Sequence, residues 1–149
     1  MSPRADLTQL EPVEAAKTIL DAHPGDSNWL DEFSELLDRR RAGRALARIL
    51  EVWGLSQSDA GRLFGVTRQA VSKWLVSGVP ADRAEAIGDL AAATDLLVRH
   101  LKRDRIPAVV RRSAPALGGR SLVDLLAVSR TGEVLEACRS MFDFGRAQV

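Results

Sequence analysis

The chain has 149 residues, 46% of them hydrophobic, and a net charge of +1, which is sufficient for one domain or two small ones. It has no apolar run near 18 residues, no apolar signal region and one cysteine, so we expect a cytoplasmic protein with no membrane span and no internal disulfide. Metal-ligand clusters of Cys and His, a P-loop and a nucleophile elbow are missing from the sequence. We therefore expect no metal, no cofactor and no enzymatic activity.

Charge is distributed unevenly along the chain. Residues 1–40 carry a net charge of −5, residues 41–75 a net charge of +4, and residues 76–149 a net charge of +2. The positive excess at 41–75 favours a nucleic-acid contact there, whereas the negative N-terminus disfavours one. A second basic concentration spans residues 98–112 and is either a DNA flank or a solvated helix end.

The N-terminal third predicts three helices. Residues 11–20 favour a short helix with Pro12 in its first turn, followed by a loop at 23–27. Ser27 is expected to cap a second helix, whose apolar face carries Trp29, Leu30, Phe33, Leu36 and Leu37 opposite an acidic face. A third helix is expected over residues 41–53 and ends at Gly54.

The most specific pattern is LSQSDAGRLFGVTRQAVSKWL, residues 55–75, which predicts a helix-turn-helix. Ser56 and Thr67 have hydroxyls that suit helix N-caps, and Gly65 suits the turn, because glycine adopts a left-handed conformation without a Cβ penalty. Val71 and Trp74 are three residues apart and share one face, which we expect to be buried.

The same segment satisfies the restrictive positions of the twenty-residue helix-turn-helix pattern, counted from Gln57. Gly61 occupies the fifth position, which must be small, and Val66 occupies the apolar tenth. Gly61 departs from the usual alanine and weakens the helix by roughly 1 kcal/mol relative to it. The alternative is an ordinary helical hairpin within an all-α core.

If Val71 and Trp74 face inward, the opposite face of the second helix becomes the DNA-reading surface. Arg68 suits a guanine edge, Gln69 an adenine edge, and Lys73 a phosphate. Gln57, at the start of the preceding helix, suits a phosphate. The predicted DNA-binding residues are Gln57, Thr67, Arg68, Gln69, Ser72 and Lys73. Such modules usually dimerise, and either the N-terminal helices or the C-terminal segment could supply the dimer contact.

The remainder of the chain also reads as helical. A long helix is expected from residue 81 towards 101, and Pro107 marks a boundary. Ser121 and Asp124 are spaced as a capping pair, Thr131 is expected to cap a last helix, and Cys138 is expected to be a core residue of that helix. The predicted organisation is an acidic helical segment (1–40), a helix-turn-helix domain (41–101) and a C-terminal module (102–149).

The C-terminal module resembles a known family. The run PALGGRSLVDLL, followed after about five residues by GEVLEACRSM, is similar to the toxin-binding domain of Xre/MbcA/ParS-like antitoxins, in which a helix-turn-helix precedes that domain. The resemblance covers roughly residues 40–149. It departs at Val110, where the family often has a tryptophan–leucine pair, and at Leu122, which replaces a frequent proline.

The resemblance implies an all-α fold, an Xre/Cro-type helix-turn-helix domain followed by a small helical toxin-binding module. It further implies that the partner is a RES-domain toxin, which destroys NAD⁺, and that residues 141–149 occlude the toxin's pocket. The toxin-binding residues carried over are Leu117, Gly118, Gly119, Arg120, Met141, Phe142, Phe144, Gly145 and Arg146. The protein is also expected to form a homodimer that binds operator double-stranded DNA. The alternative is a stand-alone transcriptional regulator with a C-terminal dimerisation or sensing module.

Overall fold

The computed structural model describes residues 6–143, which contain eight α-helices and no strand. The predicted all-α class is confirmed. The helices are α1 (Pro12–Ala22), α2 (Ser27–Trp53), α3 (Gln57–Phe64), α4 (Arg68–Ser77), α5 (Ala84–His100), α6 (Ile106–Arg111), α7 (Leu122–Ala127) and α8 (Thr131–Met141). None of these helices has the length and apolar character required to cross a membrane. The chain divides into two compact units, residues 1–37 and residues 38–149.

The first unit contains α1 and the beginning of α2, and none of its residues from 6 to 37 is buried. The rings of His23 and Trp29 stack with centroids 3.5 Å apart, and Phe33 stacks on Trp29 at 5.1 Å. Helix α1 confirms the helix expected over residues 11–20. Ser27 is not the cap of α2, because Asp26 Oδ1 accepts the N–H of Trp29 at 3.1 Å instead.

Helix α2 runs without interruption where two helices were expected. The separation between a helix beginning near Ser27 and another over 41–53 was wrong, because residues 38–44 (DRRRAGR) contain no proline and are mostly arginine, a good helix former. Gly43 does not break the helix. A Cβ built on it would lie 2.7 Å from the Trp74 carbonyl oxygen, so this glycine permits α2 to approach the end of α4.

The second unit has one continuous core. Trp53 is fully buried, and its indole N–H donates to Thr94 Oγ1 at 2.9 Å, while the Thr94 hydroxyl donates to the Leu90 carbonyl at 2.6 Å. No buried polar side-chain atom lacks a partner among the described residues. Other fully buried residues of this core are Leu46, Ile49, Ile87, Leu97, Ile106, Leu122 and Leu126. The core therefore joins the predicted parts 41–101 and 102–149, whose separate roles stay a prediction.

The C-terminal helices begin largely as their local sequences require. Ser121 and Asp124 form the expected capping box: the Asp124 N–H donates to Ser121 Oγ at 3.1 Å, and the Ser121 N–H donates to the Asp124 carboxylate at 2.8 Å. Thr131, expected as the cap of α8, is instead its first residue, and its hydroxyl donates to Asp89 Oδ2 of α5 at 3.2 Å. Cys138 is buried as expected, and desolvation raises the pKa of its thiol to about 11.

Candidate functional site

The 55–75 segment folds as two short helices joined by a tight turn. Ser56 caps α3 in a reciprocal box with Asp59, and Gly65 ends α3 with φ +67°, the left-handed conformation. Thr67 then caps α4, since its hydroxyl oxygen accepts the Ala70 N–H at 3.0 Å. The backbone N–H of Ser56 is the main reason that the pKa of Asp59 lies below its usual range.

The turn is tight enough to exclude any larger side chain at the small position. A Cβ built on Gly61 would lie 2.9 Å from the Val66 carbonyl oxygen and 3.2 Å from the Arg68 nitrogen. This close approach explains why the position requires a small residue, and in this chain even the Cβ of an alanine would require a shift of the turn. The steric requirement that the sequence predicted at Gly61 is therefore a real feature of the turn.

The inner face of α4 is fixed by aromatic contacts. Val71 and Trp74 are buried as expected, and Trp74 meets Phe64 edge to face with ring centroids 6.1 Å apart. Arg83 lies over the Trp74 ring at 5.6 Å, and its guanidinium donates to the Phe64 carbonyl at 2.9 Å. No pattern in the sequence indicated this role of Arg83, because it lies outside the 55–75 segment.

The opposite face of α4 presents the predicted DNA-reading residues together. Arg68, Gln69, Ser72 and Lys73 are all exposed on that face, whereas Gln57, at the start of α3, is half-buried. Within residues 6–143, neither Arg68 nor Lys73 pairs with a carboxylate, so both positive charges face solvent. A helix face that offers a guanidinium, an amide and an ammonium without acidic partners is suited to nucleic acid.

The second basic stretch is partly structural. The Arg111 guanidinium donates at 2.8 Å to each of three carbonyls, those of Trp53, Gly54 and Pro107. The first two lie at the C-terminal end of α2, where a cation also complements the helix dipole. Arg103 pairs with Glu51 of α2 at 3.7 Å. These two arginines attach the C-terminal part to α2, a role that the sequence did not reveal.

A groove of about 830 Å³ opens between the 114–120 turn and helix α8. Ala114 and Arg120 form an isolated bridge at the base of that turn, and Gly118 and Gly119 both have positive φ. The groove is lined by Ala114, Ala116, Leu117, Gly118, Arg120, Leu125, Arg130, Glu133, Glu136, Ala137, Ser140 and Met141. Its floor is mainly apolar and its rim carries charges of both signs.

The groove brings together predicted partner-binding residues from two distant stretches. Leu117, Gly118 and Arg120 contribute one wall, and Met141, at the end of α8, contributes to the other. Gly119 does not line the groove. Phe142 also does not, because it is half-buried and its ring stacks on His100, with centroids 4.5 Å apart and an interplanar angle of 16°. The predicted residues Phe144, Gly145 and Arg146 lie outside the described residues.

The described residues offer two candidate binding surfaces. Among residues 6–143, no group of three or more His, Cys, Asp and Glu side chains is arranged to hold a metal ion. The two features that stand out are an exposed polar and basic helix face on α4 and an apolar groove beside α8. Both belong to the second unit, within a wholly helical fold.

The fold has a counterpart among solved structures. No family model matches the chain, and no curated protein matches it. A chain in the crystal structure of the M. tuberculosis MbcT–MbcA toxin–antitoxin complex matches with a TM-score of 0.55 and 22% sequence identity, covering 66% of this chain and 91% of that chain. The similarity shows that the two chains share a fold.

Proposed function

We propose that this protein is the antitoxin of a type II toxin–antitoxin pair. It binds and inhibits a cognate RES-domain toxin that degrades NAD⁺, and as a homodimer of the Xre helix-turn-helix type it binds operator DNA and represses its own operon. It performs both roles by binding, in the cytoplasm, without catalysis. The fold supports this proposal because its structural counterpart is a chain of a toxin–antitoxin complex.

The observation that carries the toxin-binding half is the groove beside α8. The similarity to antitoxins assigned Leu117–Arg120 and the chain from Met141 onward to the toxin, although these stretches are about twenty residues apart. In the folded unit, Leu117, Arg120 and Met141 line the same groove. An apolar floor with a polar rim is the usual composition of a protein interface. We propose that the toxin docks on this groove and that the chain after Asp143 enters its NAD⁺ pocket.

Two variants test the toxin-binding half in co-expression with the toxin encoded beside this gene. Deleting residues 144–149 leaves every described contact intact and is expected to abolish protection from the toxin. Ala116→Glu places a charge in the groove from an exposed position and is expected to weaken the complex at least tenfold. Ala108→Glu, also exposed but outside the groove, is the matched control and should protect fully. Full protection by the truncated chain would refute the occluding tail.

The DNA-binding half rests on the outer face of α4. Its N-terminal residues Arg68 and Gln69 are exposed, unpaired by acids within the described residues, and placed where helix-turn-helix proteins read base edges. Thr67 already uses its hydroxyl oxygen to cap α4, so a DNA contact from this residue uses its hydroxyl proton. Ser72 and Lys73 extend the surface along the helix, and Gln57 contributes a phosphate contact from α3.

The double variant Arg68→Ala with Gln69→Ala tests this assignment. We expect it to lose specific binding to DNA from upstream of its own gene in a gel-shift assay, while its circular dichroism and melting temperature stay those of the wild type. Arg139→Ala removes the same charge from an exposed position on α8 and should bind that DNA normally. Wild-type binding by the double variant would contradict the proposed reading helix.

A homodimer is proposed through the first unit. Helices of this unit leave large apolar side chains in solvent, with Val13 81% exposed and Leu36 55% exposed. A segment of fewer than about 40 residues rarely folds stably without further support such as oligomerisation. We propose that a second copy covers these side chains, which places two α4 helices in one assembly for a palindromic operator.

One observation favours the alternative function of a stand-alone transcriptional regulator. A mainly apolar groove of about 830 Å³ is also within the size range of small-molecule sites, so it could serve a ligand-sensing repressor. The neighbouring reading frame distinguishes the two functions. A RES-domain toxin encoded next to this gene supports the antitoxin, whereas an isolated gene whose product releases DNA on binding a metabolite supports the regulator.

A further inference from the structure

Helix α8 is attached to α5 at both of its ends. At its beginning, the Thr131 hydroxyl donates to Asp89 Oδ2 at 3.2 Å, and immediately after its end the Phe142 ring stacks on His100, the last residue of α5. Asp89 and His100 are eleven positions apart, and so are Thr131 and Phe142. The two helices therefore run parallel and in register over about 16 Å.

The two faces of α8 have different tasks. Val134 and Cys138 are buried on the face towards the core, and Phe142 continues that face. Ala137 and Met141 lie at the edge of that face and line the groove, and Met141 is 38% exposed. Phe142 is thus directed away from the groove while the residue before it faces the groove. Residue 144 follows two positions after Phe142, whose ring already contacts His100.

We infer that Phe142 is a positioning residue that acts through His100. The stacked ring fixes the backbone at residues 142–143, next to Met141 at one end of the groove, where the proposed occluding segment begins. It does not itself contact the toxin, so Phe144 is the aromatic residue that does. This inference rests on the proposed function. Fixing the origin of the segment before binding lowers the conformational entropy lost when it enters the toxin.

The chemistry of the contact permits a test from either partner. A tyrosine in place of Phe142 keeps an aromatic ring that stacks on His100. A leucine in its place keeps an apolar side chain but removes the stack. His100 is exposed, and no other ring or ion-pair contact of its imidazole is present within residues 6–143. Replacing it by alanine therefore removes the stack without opening the core.

The experiment is a double-mutant cycle on the full chain, measuring the dissociation constant for the toxin encoded beside this gene. His100→Ala and Phe142→Ala are each expected to weaken binding about fivefold, the loss typical of one aromatic pair, and the double variant to weaken it no further than either alone. Phe142→Tyr should bind as the wild type, and Phe142→Leu should match His100→Ala. Melting temperatures identify any variant that unfolds. If Phe142→Ala unfolds, His100→Ala and Phe142→Leu still test the inference.

Two outcomes overturn the inference: a loss in Phe142→Ala that His100→Ala does not share, or losses that multiply in the double variant. Either would mean that Phe142 contacts the toxin directly. A chain lacking residues 144–149 that still inhibits would instead refute the occluding tail of the proposed function.

A measurement on the free protein tests the positioning role of Phe142 independently of the toxin. The heteronuclear NOE of the Asp143 amide in the free protein should decrease equally in His100→Ala and Phe142→Ala and remain unchanged in Phe142→Tyr. An NOE that is the same in all variants would refute the positioning role even if the protein has no toxin partner.

Discussion

Three glycines illustrate how differently one residue type is used in neighbouring helices. A Cβ at Gly43 or Gly61 would lie 2.7 Å or 2.9 Å from a carbonyl oxygen, whereas a Cβ at Gly88, within α5, has no heavy atom within 4 Å. Gly43 and Gly61 therefore permit two chain segments to approach. Gly88 permits no such approach, and its main effect is to add conformational freedom to the unfolded chain.

Substitution by alanine should separate these roles. Gly88→Ala is expected to raise the free energy of unfolding by about 0.5–1 kcal/mol, because it removes unfolded-state freedom without a clash. Gly61→Ala gains the same helix propensity, but its Cβ must displace the Val66 carbonyl. This variant should therefore be less stable than the wild type. Urea unfolding at pH 7 measures both. A Gly61→Ala variant as stable as Gly88→Ala would show that the turn relaxes freely.

At this scale, the sequence predicted what depends on neighbours in the chain. The smallness of Gly61, the left-handed turn at Gly65 and the inward face of Val71 and Trp74 follow from a pattern of fixed spacing. The contact between Gly43 and the Trp74 carbonyl does not, because it joins residues 31 positions apart. The stack of His100 and Phe142 was missed for the same reason.

At the scale of the element, helix starts were predictable wherever the cap and the capped N–H are close in sequence. The cap at Ser56 and the capping pair of Ser121 and Asp124 are confirmed, since each serine caps an N–H only three residues later. Thr131 is not the cap, because α8 begins one residue earlier than expected and Thr131 is its first residue, with its hydroxyl donating to Asp89 of another helix. Helix α2 was divided wrongly, although residues 38–44 contain no proline and are mostly arginine, a good helix former.

The capping boxes give the protein an acid-sensitive component of stability. Hydrogen bonds from the Ser121 backbone and hydroxyl hold the pKa of Asp124 below its usual 3.8, and those of Ser56 do the same for Asp59. The folded state thus favours the carboxylates, and this stability is present above about pH 4 and is lost as the pH falls through the lowered pKa values. Asp124→Asn removes the charge that produces this effect at α7.

We therefore expect Asp124→Asn to be less stable than the wild type at pH 7, and the difference to shrink as the pH falls below 4. Urea unfolding across pH 2.5–7 measures it. Asp104→Asn is the control, because Asp104 is exposed and its carboxylate forms no ion pair and accepts no hydrogen bond among residues 6–143. A stability difference for Asp124→Asn that stays constant over this range would show that its carboxylate is not the acid-sensitive group.

At the scale of the molecule, the sequence indicated separate tasks but not how they share a structure. The α4 face was predictable because one segment contains it. The groove was not, since its walls come from the 114–120 turn and from α8, and only similarity to antitoxins connected Leu117 with Met141. The chain also places both surfaces on one core, in which Arg111 links the C-terminal part to α2.

The charge asymmetry predicts that salt has opposite effects on the two assemblies we propose. Residues 6–37 contain eight acidic and one basic side chain, so two copies repel each other while their apolar side chains attract. Screening by salt should therefore strengthen the homodimer. The basic face around Arg68 and Lys73 binds phosphates, so the same salt should weaken DNA binding.

Analytical ultracentrifugation of the free protein from 0.05 to 0.5 M NaCl, alongside gel shifts over the same range, tests this pair of trends. The dimer dissociation constant should fall with salt while that for DNA rises. Val13→Glu with Leu36→Glu should give a monomer at every salt concentration, with the helical circular dichroism of the second unit retained, because both side chains are exposed. Ala108→Glu with Arg139→Glu, exposed positions of the second unit, is the control and should remain dimeric. A dimer that survives in the first variant would move the contact to the C-terminal part.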